Sequence, residues 1–281
     1  MNPPVITERD ILPLIDMAIK EDIGDGDVTS NAIFSEDDTS EAMIVAKQRG
    51  VFCGAEVARL VFRRLDPEVL LDVRKKDGEA IAPGEAALAV KGHTRAMLSA
   101  ERTVLNFLQR MSGIATKTRA ICDLLQGSAI RILDTRKTLP GFRLLDKYAV
   151  RMGGGENHRM GLFDMVMIKD NHIRAAGGIT AAVKKIRESH GASYRIEVET
   201  TNIDEVREAL AAGADIIMLD NMDIEAMRQA IEAIAGRAKT EISGNVDETT
   251  IQRLRTLRVD YISIGALTHS VAAFDLSMKF L

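Results

Sequence analysis

The second half of the chain alternates short apolar runs with longer amphipathic segments. The apolar runs each end in polar residues and read RILDTRK, MVMIKDNH, RIEVETT, DIIMLDN, TEISGN and YISIGAL. The segments between them have the spacing of helices, as in TAAVKKIRESH, NIDEVREALAAG, IEAMRQAIEAIAG and DETTIQRLRTL. From Asp134 onward, the strand ends recur after 35, 30, 21, 23 and 22 residues. This alternation predicts βα units that build a parallel sheet.

The kind of parallel sheet follows from a missing motif. No GxGxxG follows the first apolar run, and no acidic residue beyond it is placed to bind a ribose. A dinucleotide-binding Rossmann domain is therefore disfavoured. We expect an open, incomplete α/β barrel of the TIM type over residues 113–281.

The first third of the chain has a different pattern. After Thr7, apolar residues follow helical spacing, and this places Pro13 near the first turn, where its missing N–H costs least. Alternation at Ala42, Ile44 and Ala46 predicts a strand, and the stretches 69–73 and 87–90 predict two more. With a helical segment at 56–65, residues 1–112 are predicted to form an α+β sandwich domain.

A long helix is predicted from Thr94, and the domain boundary is expected near its end, at Ser112 and Gly113. Beyond the barrel, Leu276, Met278 and Phe280 alternate with polar residues. The tail 275–281 is therefore predicted to form one more strand, in the first domain.

Composition narrows the class of protein. Hydrophobic residues make up 46% and charged residues 28% of the 281 residues, the balance of a soluble globular chain. No apolar run reaches the roughly 18 residues of a membrane span. Two cysteines, and an N-terminus without a basic region before an apolar one, predict a cytoplasmic protein. Aromatic residues are only 4%, which argues against a base-stacking surface for nucleic acids.

Positive charge is concentrated in one stretch. The net charge is −4, yet residues 131–174 hold nine Lys or Arg and five Asp or Glu, a local surplus of +4. A basic segment in an acidic chain favours capture of a small anion. The alternative is a solvated basic turn at Arg136, Lys137 and Arg143.

The polar residues at the strand ends form the candidate site, because the loops after the strands of a parallel barrel converge at one end. The early strands supply Arg136, Lys137 and Lys169, and the loop MGGGENHR supplies His158 and Arg159. Cations of this kind bind carboxylate or phosphate.

The middle strands supply the carboxylates Glu199 and Asp220, and the late strands supply the small residues of SGN and IGAL, whose N–H groups can approach a phosphate. The set fits a substrate with carboxylates together with a Mg²⁺-bound phosphate ester.

Each feature also has a structural interpretation. Glu199 and Asp220 could begin helices and accept hydrogen bonds from backbone N–H groups. The glycines at 153–155 could end a helix. His158 could be a surface residue, as its polar neighbours suggest.

One long block of sequence resembles a known family. DTRKTLPGFR, followed by KYAVRMGGGENHRMGLFDMVMIKDNH, is similar to the signature of the quinolinate phosphoribosyltransferases. The similarity extends through EVET, MLDN, EISGN and SIGALTHS, and back to SAERTVLN and EDIGDGDVTS. It therefore covers nearly the whole chain, with Phe142 at a position where leucine is expected.

The resemblance implies an activity and a site. Members convert quinolinate and 5-phosphoribosyl 1-pyrophosphate, with Mg²⁺, into nicotinate mononucleotide, pyrophosphate and CO₂ in NAD biosynthesis. The implied quinolinate site comprises Thr135, Arg136, His158, Arg159 and Lys169, with Arg102 from the partner subunit of a homodimer or a higher oligomer. The implied phosphoribosyl pyrophosphate site comprises Lys137, Lys169, Glu199, Asp220, Ser243, Gly244, Asn245, Gly265, Ala266 and His269. Lys137, Glu199 and Asp220 would be catalytic, and Glu199 and Asp220 would hold Mg²⁺ directly or through water.

Three other functions are compatible with parts of the pattern. A sibling phosphoribosyltransferase could take nicotinate, although its single carboxylate needs fewer cations. A Schiff-base lyase or aldolase could use Lys169 as its nucleophile. A barrel without catalytic activity could bind phosphate alone.

Overall fold

The computed structural model describes residues 7–244 and 246–281. It divides into two compact units, each made of separate stretches of chain. The first contains residues up to Arg119 together with Thr138–Gly154 and Leu267–Leu281. The second contains Ala120–Lys137 and Gly155–Ala266. The segment Thr138–Gly154, which the sequence analysis included in 113–281, therefore belongs to the first unit.

An antiparallel sheet forms the centre of the first unit. Its strand order is β12-β1-β5-β3, with strands β1 (Thr39–Ala46), β3 (Leu70–Val73), β5 (Ala86–His93) and β12 (Leu276–Phe280). Two short strands, β2 (Gly50–Val51) and β4 (Ala80–Ile81), pair separately. Along β1 the alternating residues Ala42, Ile44 and Ala46 are buried, as their spacing predicts. The tail strand β12 pairs with β1 and buries Leu276 and Met278.

Helices complete this unit. They are α1 (Glu8–Ile23), α2 (Val28–Ile33), α3 (Ala55–Leu65), α5 (Arg143–Met152) and the part of α4 (Thr94–Leu124) that ends at Arg119. Asp27 fixes the start of α2, since its side chain accepts the backbone N–H groups of Thr29 and Ser30.

Two sequence expectations about helices need correction. Pro13 lies in the second turn of α1 rather than in its first, on the exposed side, where water can reach the carbonyl of Arg9 that the proline leaves without a partner. Helix α4 does not end at Ser112 and Gly113, because both residues are buried within it. Gly113 instead allows close packing, since a Cβ there would lie 2.3 Å from the carbonyl oxygen of Ala272.

The second unit is an open parallel α/β barrel. Its sheet has the order β6-β11-β10-β9-β8-β7. The strands are β6 (Arg131–Leu133), β7 (Val166–Ile168), β8 (Ile196–Thr200), β9 (Ile216–Asp220), β10 (Lys239–Ser243) and β11 (Tyr261–Ser263). They match the six runs predicted from the sequence, and the sheet stays open because β6 and β7 are its two edges.

Helices follow the strands as the alternation predicts. They are α6 (Asp170–Ala176), α7 (Ile179–His190), α8 (Ile203–Ala211), α9 (Ile224–Ile234) and α10 (Glu248–Leu254). The short α11 (Ala266–His269) follows β11 and belongs to the first unit from Leu267 onward. The side chains of Asn202 and Asp223 cap α8 and α9. Within the described ranges, no helix is both long enough and apolar enough to span a lipid bilayer.

The free edge of β6 is partly covered by the loop that leads to the predicted site. Glu156 donates its N–H to the carbonyl of Ile132 at 2.8 Å, and Asp134 donates its N–H to the carbonyl of Glu156 at 3.2 Å. These bonds continue the ladder past β6 and fix where the following residues, including His158, enter the barrel.

The close packing at Gly113 predicts that a Gly→Ala substitution in this helix destabilises the protein. Gly→Ala inside a helix normally stabilises a protein by about 0.5–1 kcal/mol. Here the new methyl group would meet a backbone carbonyl, so we expect Gly113→Ala to lower the free energy of unfolding by about 1–3 kcal/mol in urea denaturation. Asn106→Ala, at an exposed position of the same helix, is the control and should not destabilise the protein. A more stable Gly113→Ala variant would contradict the packing.

Candidate active site

The predicted strand-end residues of the second unit lie along one edge of the sheet. Lys169 directly follows β7, Glu199 is the penultimate residue of β8, Asp220 ends β9 and Ser243 ends β10. Arg136 follows β6 by three residues. Because all six strands are parallel, these residues share the carboxyl edge, where barrel enzymes place their active sites.

Three predicted site residues are not placed at the carboxyl edge of this sheet. Arg102 and His269 belong to the first unit, and both are exposed. The ring Nδ1 of His269 lies 2.7 Å from Ser270 Oγ. Asn245 lies outside the described residues.

The interpretation of Glu199 and Asp220 as helix starts is wrong. Both residues belong to strands, and the caps of the following helices are Asn202 and Asp223. The two carboxylates are therefore not used to satisfy the first turns of α8 and α9.

Arg136 and Arg159 form the positive side of the site. Arg159 is buried, and its Nη1 donates to the carbonyl of Met165 at 3.2 Å. Burial and then the charge of Arg136 lower the pKa of Arg159, whereas the charge of Glu197 acts in the opposite direction. The two guanidinium groups are thus close enough to repel each other. Arg136 is half-buried, so a fully solvated basic turn describes only its exposed neighbour Lys137.

Lys169 and Glu199 form an ion pair across the ends of β7 and β8. The Lys169 ammonium donates to Glu199 Oε2. The Lys169 side chain is 43% exposed and that of Glu199 is 17% exposed, so the pair faces the open edge of the sheet. An ammonium ion held by a carboxylate is not the neutral amine that Schiff-base formation requires.

The ends of β9 and β10 are packed tightly together. Asn221 has a positive φ of 52°, donates its N–H to the carbonyl of Ser243 at 3.0 Å and donates through Nδ2 to Asp220 Oδ2 at 2.7 Å. Gly244 has φ +103°, and a Cβ there would lie 2.1 Å from Asn221 Oδ1. Only glycine fits at this position, because its φ is positive and the Asn221 side chain fills the space that a Cβ would need.

His158 lies inside the barrel, so its interpretation as a surface residue is wrong. Its side chain is 6% exposed, and Nε2 lies 2.9 Å from Glu197 Oε2 and 3.6 Å from Glu241 Oε2. Its Nδ1 accepts the backbone N–H of Arg159 at 2.7 Å. Asp134, also buried, accepts the backbone N–H of His158 at 2.9 Å and thereby holds the loop against β6.

Comparison with known proteins identifies the family. Residues 27–112 match the N-terminal domain of quinolinate phosphoribosyl transferase, and residues 114–279 match its C-terminal domain. The chain belongs to the quinolinate phosphoribosyl transferase family. The resemblance noted from the sequence motifs is thus confirmed.

Individual relatives agree with this assignment. A protein of Bacillus subtilis named probable nicotinate-nucleotide pyrophosphorylase [carboxylating] is 48% identical over 258 residues, which cover 92% of this chain and 89% of that protein. A chloroplastic nicotinate-nucleotide pyrophosphorylase [carboxylating] of Arabidopsis thaliana is 45% identical, with 99% of this chain and 85% of that protein covered. The crystal structure of NadC from Streptococcus pyogenes superposes with a TM-score of 0.95 at 44% identity, and 99% of each chain is covered.

This member of the family also has two interior carboxylates that are not among the predicted site residues. Glu197 and Glu241 are completely buried, and each lies two residues before a strand-end residue, Glu199 or Ser243, on the same face of its strand. The alternation in IEVET and TEIS is the signal that could have found them. Burial raises the pKa of Glu197 to about 7, against the charges of Arg159 and Lys169. Burial and the nearby Glu197 raise the pKa of Glu241 to about 8.

Oxygen ligands for Mg²⁺ are available at the open edge. Glu199 and Asp220 end neighbouring strands, and Mg²⁺ is usually held by one or two carboxylates together with waters and substrate phosphates. The two residues therefore fit the cation that the resemblance implies.

The raised pKa of Glu241 predicts how stability changes with pH. The folded chain holds this proton more tightly than the unfolded chain, whose ordinary value is 4.5. This contribution to stability is complete below pH 4.5 and is lost as the pH rises through about 8. We therefore expect the free energy of unfolding of the wild type to fall, relative to Glu241→Gln, over that range in urea titrations.

A matched variant controls for general effects of pH. Glu232→Gln changes an exposed glutamate on α9, and its difference from the wild type should stay constant. A constant difference for Glu241→Gln as well would contradict the buried, protonated carboxyl.

Proposed function

We propose that this protein is a decarboxylating quinolinate phosphoribosyltransferase of NAD biosynthesis. The ring nitrogen of quinolinate attacks the anomeric carbon of 5-phosphoribosyl 1-pyrophosphate, and the bond to pyrophosphate breaks. The carboxylate beside the nitrogen then leaves as CO₂, a proton takes its place, and nicotinate mononucleotide remains. The observation that supports this reaction most directly is a group of cations in a member of this family: Arg136 acts on Arg159, and Arg159 and Lys169 both act on Glu197.

Quinolinate, a dianion, is the substrate that this positive group suits. Arg136 and Arg159 would form forked hydrogen bonds with its carboxylates, and Lys169 would add a point charge. Thr135 and His158 would complete the site on this chain. Arg102 would come from the partner subunit of a homodimer, since it is exposed on α4 and is itself part of the first unit.

The sugar phosphate would occupy the other half of the edge. Glu199 and Asp220 would bind the ribose hydroxyls, and Lys137 would lie between the two substrates. The 5′-phosphate would be held by residues of the last two strand ends, namely Ser243, Gly244, Asn245, Gly265 and Ala266, with His269.

Electrostatic placement would provide the catalysis. As pyrophosphate leaves, positive charge grows on the anomeric carbon, and the carboxylates of Glu199 and Asp220 would stabilise it. Lys137 would offset the negative charge of the departing group. A Mg²⁺ ion held by Glu199 and Asp220, directly or through water, would neutralise pyrophosphate oxygens when bound. No side chain needs to act as a covalent nucleophile.

Localisation remains a prediction. The chain is expected to act in the cytoplasm, although the Arabidopsis thaliana relative is named as chloroplastic.

The substrate can be tested by following both products. With quinolinate, 5-phosphoribosyl 1-pyrophosphate and Mg²⁺, we expect CO₂ and pyrophosphate to appear in equal amounts, and nicotinate to replace quinolinate poorly. Sodium borohydride should not inactivate the enzyme, because no Schiff base forms at Lys169. Preference for nicotinate would assign the sibling reaction, trapping at Lys169 would assign a lyase, and no turnover would favour a phosphate-binding barrel.

The shared site can be tested by mixing two inactive subunits. Arg102→Ala and Arg159→Ala should each abolish most turnover alone. Half of randomly assembled dimers are mixed, and each mixed dimer has one intact site of two, so co-expression should restore about a quarter of wild-type activity. Activity no higher than that of the separate variants would show that Arg102 does not serve the partner's site.

A further inference from the structure

We propose that Glu197 and Glu241 are positioning residues that hold His158 and Arg159 from inside the barrel and so set the affinity for quinolinate. This inference rests on the proposed function. Neither glutamate lies at the strand ends where substrate would bind, since both are completely buried within β8 and β10.

The two glutamates reach His158 from opposite sides of β9. Strands β8 and β10 both pair with β9, so in a flat sheet they would lie about 9–10 Å apart. The side chains nevertheless converge. One ring nitrogen of His158 and one carboxylate oxygen each of Glu197 and Glu241 all lie within 4.8 Å of one another. His158 therefore links two strands that do not pair with each other.

The hydrogen-bond pattern of the ring distinguishes positioning from metal binding. The Nδ1 atom accepts the N–H of Arg159 at 2.7 Å, so in the neutral ring the proton is on Nε2, which faces Glu197 at 2.9 Å. A metal ion would need the Nε2 lone pair. The cluster is thus arranged to orient the imidazole rather than to bind a cation.

The orientation of the His158 ring affects the position of Arg159, because the two residues share a hydrogen bond. The ring holds the backbone N–H of Arg159, and the buried Arg159 guanidinium is fixed further along by the carbonyl of Met165. The charge of Glu197 also acts on that guanidinium, as the pKa of Arg159 indicates. Glu197 therefore contacts His158 and influences Arg159. Glu241 interacts with His158, Glu197 and Ser263, and its charge is not among the described influences on Arg159.

Stability does not account for these residues. Carboxyl groups buried in a barrel interior lose their hydration whether they are charged or protonated, and well-packed apolar side chains of similar volume are often as stabilising or more so. Interior barrel positions are usually filled by Val, Ile or Leu. A cluster that costs solvation free energy and lies against two cation-bearing residues of the site is better explained by its effect on binding.

The test is a double-mutant cycle on quinolinate binding. Glu197→Gln and Glu241→Leu should each raise the quinolinate KM and the calorimetric Kd about tenfold, and change the KM for 5-phosphoribosyl 1-pyrophosphate less than about twofold. In a His158→Ala background, Glu241→Leu should add less than about twofold, because its effect passes through the imidazole. Glu197→Gln should still weaken binding in that background through Arg159.

Controls separate the possible failures. Glu232→Gln, an exposed change, should leave both KM values unaltered. Glu197→Asp keeps the carboxyl group and should therefore retain more affinity for quinolinate than Glu197→Gln. If the Glu197 variants do not fold, the Glu241 and His158 variants still form a complete double-mutant cycle. Equal rises in both KM values, or full additivity of Glu241→Leu with His158→Ala, would overturn the positioning role. Failure of the wild type to turn over quinolinate would instead overturn the proposed function.

Discussion

Like charges at the edge of the sheet must be balanced by carboxylates, and the rest of the site depends on this balance. Arg136 and Arg159 are close enough to lower the pKa of Arg159, so their repulsion has to be offset. Glu197 provides an opposing charge from inside the barrel, and Glu199 pairs with Lys169 at the rim. The cations are thereby held close together before any substrate arrives. Such preorganisation lowers the free-energy cost of ordering the cations when a dianion binds.

The open parallel barrel provides the positions that this balance needs. Every strand points its carboxyl end to the same edge, while residues two positions earlier on the same face point into the interior. A strand can therefore place one carboxylate at the rim and another below it, as β8 does with Glu199 and Glu197. The segment after β6 adds His158 to these carboxylates. Asp134 accepts the backbone N–H of His158, and the imidazole lies inside the barrel.

Much of this architecture could be predicted from the sequence, because the six strands and their polar ends follow a simple period. The residues inside the barrel are harder to predict, since a glutamate within an apolar run is normally assigned to the exposed face. The burial of Glu197 and Glu241 follows only from the way the sheet curves around them. The polar neighbours of His158 predict a surface residue, whereas its backbone is held by Asp134, 24 residues earlier in the chain. The two family domains do meet at Gly113, but the helix continues through it, and its small size serves packing against Ala272. These residues share one property: their role depends on contacts between segments far apart in the chain.

A crystal structure of the protein with quinolinate bound would test the central claim most directly. The account predicts that one carboxylate or both lie within hydrogen-bonding distance of Arg136, Arg159 and Lys169, with the ring nitrogen facing Glu199 and Asp220. Quinolinate bound elsewhere, or these three cations directed away from it, would contradict the account.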